Sequence, residues 1–184
     1  MMPMKVIAGK YKNRRLSFVK NQHVRPMTQM VREAIFDILR EQIVEATMLD
    51  LFCGSGSVGI EALSRGAVHV DFVDLDVGMV GENVKRLGLQ EAACIYRRDA
   101  FDALRVIRRI GKVYDVIFVG APYAFGALAS VVQTIGESGV LRAGGALMLE
   151  HRKGREVPQE CDGLTYKRRY AYGQTLLSFY ESSV

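Results

Sequence analysis

A glycine-rich turn is the segment of this 184-residue chain best suited to binding a ligand. The sequence LDLFCGSGSVG at 49–59 leads from an apolar run through Gly54, Gly56 and Gly59 into a helical pattern. Glycine permits a close approach to a ligand, because a Cβ would obstruct either the approach or the dihedral angles of the turn. The spacing G-x-G-x-x-G is also a dinucleotide-binding fingerprint, so the glycines alone leave NAD and S-adenosylmethionine as alternatives.

Two aspartates follow the next two apolar runs. Asp74 ends the second run, 18 residues beyond Gly56, where a carboxylate can accept both ribose hydroxyls of an adenosine. Asp99 follows the third run, where a side-chain acceptor can meet an adenine amino group. Taken singly, each aspartate is equally consistent with a helix N-cap. Together with the glycine turn they lie at the carboxyl ends of three successive strands, where open α/β sheets bind ligands.

Asp50 discriminates between the two cofactors. It lies within the first apolar run, just before the turn, where a dinucleotide-binding strand is usually apolar up to its first glycine. Methyltransferases commonly have an acidic residue there, which fixes the glycine turn and the amino-acid end of the cofactor. A buried carboxylate bonded only to the backbone is the alternative. The sequence therefore favours S-adenosylmethionine.

Alternating apolar and amphipathic segments must position these residues. The pattern predicts a hairpin over 5–19, a loop, and a helix from an N-cap at Thr28 to about Val44. Strands are then predicted at 48–52, 68–73, 93–96, 114–119 and 146–150, with helices at 57–65, 78–87, 101–110 and 127–137. Two adjacent strands, 164–172 and 175–180, end the pattern. A mostly parallel sheet with a terminal antiparallel hairpin is typical of class I methyltransferases rather than dehydrogenases.

Composition narrows the function classes. Hydrophobic residues make up 49% of the chain and charged residues 24%, as in a folded globular domain. The sequence has no apolar run near the ~20 residues of a membrane helix. Three separated cysteines and no hydrophobic leader favour a reducing cytoplasm. The first 40 residues hold nine Lys and Arg against two acidic residues, which indicates either nucleic-acid contact or a solvated basic face.

Five segments resemble the RsmD-type 16S rRNA guanine-N2 methyltransferases. They are KVIAGKYKNRRL at 5–16, VRPMTQMVREAIFDIL at 24–39, LDLFCGSGSVGIEALSRGA at 49–67, VDLD at 73–76 and YGQTLLSFY at 172–180. The loop with Arg25 and the helix that follows it are the more specific part, because other amino-methyltransferases share the glycine turn alone.

The resemblance implies an α/β, Rossmann-like class I methyltransferase fold with a seven-stranded, mostly parallel sheet. It implies one domain, in which 1–26 is an RNA-binding hairpin extension and loop and 27–184 is the catalytic core. It implies S-adenosylmethionine as cofactor, no metal, and 16S rRNA as partner in an assembling small subunit; a monomer is expected. The cofactor residues would be Asp50, Phe52, Gly54, Ser55, Gly56, Asp74, Asp99 and Ala100. The RNA-contacting residues would be Lys10, Lys12, Arg14, Arg15, Arg25 and Thr28.

One motif departs from the family pattern. The fourth strand should end in (Asp/Asn)-Pro-Pro-(Tyr/Phe), but the chain has Gly120, Ala121, Pro122 and Tyr123 as its catalytic segment. Guanine N2 is a poor nucleophile, so a side-chain oxygen and a main-chain carbonyl normally accept its two N–H groups while an aromatic ring holds the flipped base. Gly120 lacks the side-chain oxygen.

Several interpretations of Gly120 stay open at this level. Catalysis can be weakened, another residue or a water can accept the proton, or the chain can bind RNA and cofactor without turnover. An adenine-N6 or cytosine-N4 nucleic-acid methyltransferase is the nearest enzymatic alternative, and an NAD-linked oxidoreductase is a weaker one that rests on the glycine spacing alone.

Overall fold

A computed structural model describes residues 4–18 and 27–183 of the chain. The helices are α1 (Gln29–Leu39), α2 (Ser57–Ser64), α3 (Gly78–Leu87), α4 (Ala100–Arg109) and α5 (Leu128–Ser138). The strands are β1 (Thr47–Leu51), β2 (His69–Asp74), β3 (Ala93–Arg97), β4 (Tyr114–Val119), β5 (Leu141–Arg152), β6 (Glu160–Cys161), β7 (Leu164–Tyr172) and β8 (Thr175–Ser182). No helix within these residues is long and apolar enough to cross a membrane.

All eight strands form one sheet in the order β3-β2-β1-β4-β5-β8-β7-β6. The first five strands are parallel, whereas β8 pairs antiparallel with β5 and β7. The predicted α/β class I methyltransferase fold is confirmed. The two-residue strand β6 is an addition to the seven expected strands, and it pairs with the start of β7 at the sheet edge.

Both faces of the sheet are covered because side chains alternate along each strand. One face packs on α1, α2 and α3 through residues such as Met48, Phe72 and Phe118. The other packs on α4 and α5 through residues such as Leu49 and Val119. Strand order therefore brings the carboxyl ends of β1, β2, β3, β4 and β5 to one edge, where their following loops meet.

The first helix is shorter than the sequence pattern indicates. Thr28 is its N-cap as predicted, since its Oγ1 accepts a hydrogen bond from Val31 N at 3.3 Å. The prediction that the helix continues to about Val44 is wrong. Arg40 adopts a φ of 45° that ends the α-helix, and a 3₁₀ turn over Arg40–Ile43 follows. That turn buries Ile43 while leaving Val44 exposed.

The N-terminal segment, residues 4–18, folds back on itself and docks on α2 and α3. Its two arms meet in a single bridge between Lys5 and Arg15 rather than in full strands. The buried Glu61 of α2 accepts hydrogen bonds from Ile7 N at 2.8 Å and Ala8 N at 2.9 Å. Asn83 of α3 accepts from Ser17 N and donates to Ser17 O. The segment therefore lies beside the helix that follows the glycine turn.

Candidate functional site

A cavity of about 830 Å³ opens at the carboxyl ends of the parallel strands. Its lining includes residues that follow β1, β2, β3 and β4, which the sequence placed together. Predicted residues that line it are Phe52, Gly54, Ser55, Asp74, Asp99, Ala100, Gly120, Ala121, Pro122, Tyr123 and Thr28. This volume falls within the range of small-molecule and cofactor sites.

The glycines of the turn serve two different purposes. Gly54 has a φ of 53° and borders the cavity, with open space where a Cβ would lie. Gly56, whose φ is 74°, and Gly59 also allow tight packing, because a Cβ would lie 2.6 Å from Val80 at Gly56 and 2.3 Å from Phe72 at Gly59. Gly56 is buried outside the cavity lining. Only the first part of the turn is therefore presented to a ligand.

Asp74 holds the turn from the neighbouring strand. Its Oδ2 accepts from Gly54 N at 2.8 Å, and its Oδ1 accepts from Asp76 N at 3.1 Å. Asp74 is not a helix N-cap, because the N-cap residue of α3 is Val77. The carboxylate is half-buried on the cavity wall, so it can receive further donors from a ligand.

Asp99 combines the two roles that the sequence left open. It caps α4, because its Oδ1 accepts from Asp102 N at 3.0 Å. It also lines the cavity beside Ala100 and is exposed to solvent. A carboxylate has capacity for about four hydrogen bonds, so the capping bond leaves acceptor capacity on the cavity side.

Asp50 lies beneath the turn, outside the cavity lining. Its Oδ2 accepts from Gly59 N at 2.9 Å, so it fixes the start of α2. Its Oδ1 is buried without a hydrogen-bond partner among the described residues. Burial raises the pKa of this carboxyl to about 7, and the bond from Gly59 partly opposes the rise. A buried carboxylate oxygen without a hydrogen-bond partner costs free energy of folding.

We expect the stability of Asp50→Asn, relative to that of the wild type, to increase as pH rises. The folded state holds a proton that the unfolded state releases between about pH 4 and about pH 7. The free energy of unfolding therefore falls as pH rises through this window, and asparagine removes the fall. Between pH 4 and pH 8, the free energy of unfolding of the variant should rise by about 1–3 kcal/mol relative to that of the wild type. Urea denaturation at each pH measures it. The control Asp162→Asn changes an exposed aspartate; an equal gain there would contradict the assignment.

The Gly120–Tyr123 segment is fixed by residues that the sequence did not single out. Arg155, in the loop after β5, donates to Phe125 O at 2.6 Å and Tyr123 O at 3.4 Å. The Tyr123 hydroxyl lies 2.8 Å from Thr175 Oγ1, and either group can donate. Arg155 follows β5 and Thr175 begins β8, so their contact with this segment depends on the β5–β8 pairing.

Glu150 is a cavity residue that sequence analysis missed. It lies near the end of β5 and lines the cavity together with Gly120 and Tyr123. Burial raises the pKa of its carboxyl to about 7, while hydrogen bonding with Tyr123 opposes the rise. The signal available in the sequence was a glutamate after four apolar residues of a strand, which alone does not distinguish an exposed strand end from a site.

The predicted RNA-contacting residues do not all fall in one place. Lys10, Lys12, Arg14 and Arg15 are exposed on the N-terminal segment, whereas Arg25 lies outside the described residues. Arg32, one of the nine basic residues in the first 40, is instead buried beside Glu61 with 3.9 Å between Arg32 Nε and Glu61 Oε2. The exposed basic surface is therefore smaller than the charge count indicates.

One side-chain group elsewhere has the composition of a metal site. His69, Asp71 and Cys94 offer ligand atoms within 4.8 Å of one another. Asp71, however, already accepts from the Lys112 ammonium at 2.7 Å and the Tyr114 hydroxyl at 2.6 Å. A lysine ammonium at the carboxylate competes with a cation, so this group is accounted for by packing and ion pairing.

The site fits S-adenosylmethionine better than a dinucleotide. Asp74 and Asp99 supply carboxylate acceptors to the cavity lining, and a Cβ at Gly54, on the same lining, would meet no neighbouring atom. The carboxylate of Asp50 below the turn is the feature that a dinucleotide site does not require. Phe52 and Phe125, with ring centroids 4.9 Å apart, narrow the cavity between the turn and the Gly120–Tyr123 segment.

Known proteins resemble this chain in sequence and in fold. A family model described as Conserved hypothetical protein 95 matches residues 4–181. The chain is 36% identical over 181 residues to Bacillus subtilis YlbH, named as a candidate rRNA methyltransferase, covering 97% of this chain and 98% of that protein. It is 27% identical over 178 residues to Escherichia coli ribosomal RNA small subunit methyltransferase D, covering 97% of this chain and 89% of that protein. A solved Escherichia coli structure, described as a candidate methyltransferase yhhF, matches with a TM-score of 0.84 at 25% identity and covers 99% of each chain.

Proposed function

The chain belongs to the family described as Conserved hypothetical protein 95, the RsmD-type methyltransferases, and from that premise we propose that it methylates the exocyclic N2 amine of a guanine in small-subunit ribosomal RNA. The observation that carries the proposal is the single cavity shared by Gly54, Asp74 and the Gly120–Tyr123 segment. S-adenosylmethionine would supply an activated methyl group on a sulfonium sulfur. The partner in this proposal is 16S rRNA in an assembling subunit, bound by a monomer.

Residues of the turn and at the carboxyl ends of β2 and β3 would hold the adenosine. Asp74 accepts the ribose hydroxyls and Asp99 accepts from the adenine amine. The backbone at Gly54 and Ser55 approaches the amino-acid part, and Asp50 fixes the turn from below through Gly59. A cofactor held by these residues would share one cavity with a base held by the Gly120–Tyr123 segment. Orientation of this kind contributes much of the rate in a transfer between two bound molecules.

The Gly120–Tyr123 segment would hold the base. The Tyr123 ring stacks on the flipped guanine, and Thr175 and Arg155 fix the tyrosine and its loop. Main-chain carbonyls at Gly120 and Ala121 accept one N–H of the amine. Residues 1–26 act as the RNA-binding extension and 27–184 as the catalytic core in this proposal.

Exposed basic residues of the N-terminal segment should contribute phosphate contacts. The double variant Lys12→Ala/Arg14→Ala is expected to reduce the slope of log affinity for small-subunit RNA against log salt by about 1.5, since each lost contact removes about 0.7–0.9. Filter binding between 50 and 300 mM salt measures the slope. The control Arg108→Ala/Arg109→Ala removes two exposed charges from the end of α4, away from the cavity. Equal slopes for the two double variants would rule out a specific role for the segment.

The proposed reaction is tested in cells. Deleting the protein should leave one guanine of small-subunit rRNA without its N2 methyl group, as detected by mass spectrometry of nuclease fragments. Restoring the wild-type chain should restore that mark, and a Tyr123→Ala chain should not. An unchanged methylation map would refute the function.

A further inference from the structure

We propose that the Glu150 carboxylate is a catalytic group that accepts an N–H of the target amine in place of the side chain that Gly120 lacks. The inference rests on the function proposed above. It places the acceptor on β5, whereas in the family pattern the acceptor lies at the position of Gly120.

The strand register brings the two positions side by side. β4 and β5 are parallel, and Val119 pairs with Leu149 at the carboxyl end of the ladder. Gly120 and Glu150 are the next residues on the two strands, and neighbouring strands lie about 4.8 Å apart. Val119 and Leu149 both face α4 and α5, so the alternation turns Gly120 and Glu150 to the opposite face. The glutamate therefore stands beside the position where a residue-120 side chain would project.

The surroundings of Glu150 suit a proton acceptor. Its carboxyl lines the cavity near Tyr123, and burial raises its pKa to about 7, so it ionises near neutral pH. The other charged or titratable groups that line the cavity are Asp74, Asp76, Arg98, Asp99, Tyr123 and Arg152. On β8, Thr175 and Leu177 face this end of β5, and neither titrates.

A glutamate here also fits the local packing better than an acidic residue at 120. A Cβ on Gly120 would lie 2.8 Å from a ring carbon of Phe118, which is buried in the core. An aspartate at 120 would require that ring to move. Glu150 lines the same cavity from the next strand, and a glutamate side chain is one methylene longer than an aspartate side chain.

The chemical step balances with this acceptor. The N2 lone pair bonds to the methyl carbon as the carbon–sulfur bond breaks, and the electron pair of that bond stays on sulfur. The amine then loses one proton, which Glu150 accepts and passes to water. The product is the methylated amine and the thioether form of the donor, and no oxidant or metal takes part.

The first arm of the test measures methyl transfer to small-subunit RNA. We expect Glu150→Ala to lower kcat/KM by ~10²–10³-fold, as for loss of one preorganised hydrogen-bonding group. Glu150→Gln keeps an acceptor oxygen, so its kcat/KM should fall less than that of Glu150→Ala. The control Glu156→Ala truncates an exposed glutamate six residues along the chain and should retain wild-type activity.

The pH profile separates a catalytic role from a structural one. Wild-type kcat/KM should rise with pH up to about 7, as Glu150 ionises, and level above it. Glu150→Gln cannot ionise at this position, so its profile should lose that rise. A purely structural glutamate would lower activity without removing the inflection.

The second arm needs no turnover. Guanosine carries the N2 amine and inosine lacks it, so the ratio of their affinities isolates contacts to the amine. Nuclear magnetic resonance titrations of protein saturated with S-adenosylhomocysteine should give the wild type a preference for guanosine. Glu150→Ala should lose at least about tenfold of that preference, the loss expected for one charge-assisted hydrogen bond.

The outcomes distinguish this inference from the proposed function. Methyl transfer by Glu150→Ala at the wild-type rate, with the guanosine preference retained, would overturn the role of Glu150 and leave the function intact. Absence of N2 methylation by the wild type would overturn the function and the inference together. Glu150→Ala could also lose activity while it keeps the guanosine preference and while Glu150→Gln keeps the pH inflection. That combination would also overturn the inference.

Discussion

Replacing Glu61 with glutamine should lower the free energy of unfolding by about 3–5 kcal/mol. Glu61 is fully buried, with 2.8 Å between its Oε1 and Arg65 Nε. It lies 3.9 Å from Arg32, whose guanidinium is also buried and has its pKa lowered by that burial. Glutamine leaves the Arg32 charge uncompensated and keeps only one acceptor oxygen. Ile7 N and Ala8 N bond to different oxygens of Glu61, so they cannot both keep their hydrogen bonds. Urea denaturation measures the change.

The matched control is Glu82→Gln, which alters an exposed glutamate that bonds to the same N-terminal segment through Ser17. Its effect should stay below about 1 kcal/mol, as for surface pairs. Hydrogen exchange at Ile7 and Ala8 should accelerate in Glu61→Gln alone. A loss below about 1 kcal/mol for Glu61→Gln would mean that Glu61 does not anchor the segment.

Replacing Asp74 with alanine should weaken binding of S-adenosylhomocysteine by roughly 100-fold. Each hydrogen bond to a charged acceptor contributes about 1.5–3 kcal/mol, and the proposed ribose contacts depend on this carboxylate. The variant also releases Gly54 N, which Asp74 Oδ2 holds at 2.8 Å, so the turn loses order as well. Isothermal titration calorimetry measures the affinity directly.

The control for Asp74→Ala is Asp37→Ala, which removes an exposed aspartate of α1 outside the cavity. It should bind S-adenosylhomocysteine as the wild type does, and NAD should give no heat with either protein. Undiminished binding by Asp74→Ala would place the adenosine elsewhere. Binding of NAD in preference to S-adenosylhomocysteine would return the chain to the oxidoreductase alternative.

The cavity wall formed by the glycine turn, Asp74 and Asp99 is the part of the molecule that the sequence predicts most completely. The sequence has a glycine turn after an apolar strand and an aspartate at the end of each of the next two strands. In a parallel sheet these three features must lie together at the carboxyl ends of the strands. Asp74 and Asp99 accordingly lie on the cavity as expected. Their roles remain predictions, because hydrogen bonds to the protein's own backbone already use part of each carboxylate.

Asp50 and Gly56 show the limit of spacing as a guide. The sequence assigns both residues to the cofactor site, yet neither borders the cavity. Strand alternation directs Asp50 beneath the turn, where it meets Gly59. Gly56 is required by its φ of 74° and by the close approach of Val80 from α3, and no local pattern encodes the second contact.

Glu61 and Glu150 could not be identified from the sequence for a different reason. Glu61 follows an apolar residue in a short helix, and its burial depends on a segment more than 50 residues earlier. Glu150 gains its position from the register of β4 on β5. Each residue's environment is created by a long-range contact, which composition and periodicity do not record.

The most direct test of the account is methyl transfer in vitro. Purified protein, labelled S-adenosylmethionine and small-subunit particles from cells lacking the protein should together yield N2-methylguanosine at one position. Protein-free small-subunit RNA, run in parallel, identifies the preferred substrate. No label in either RNA, or label on adenine N6 or cytosine N4 instead, would contradict a guanine amine held against Tyr123 as the acceptor.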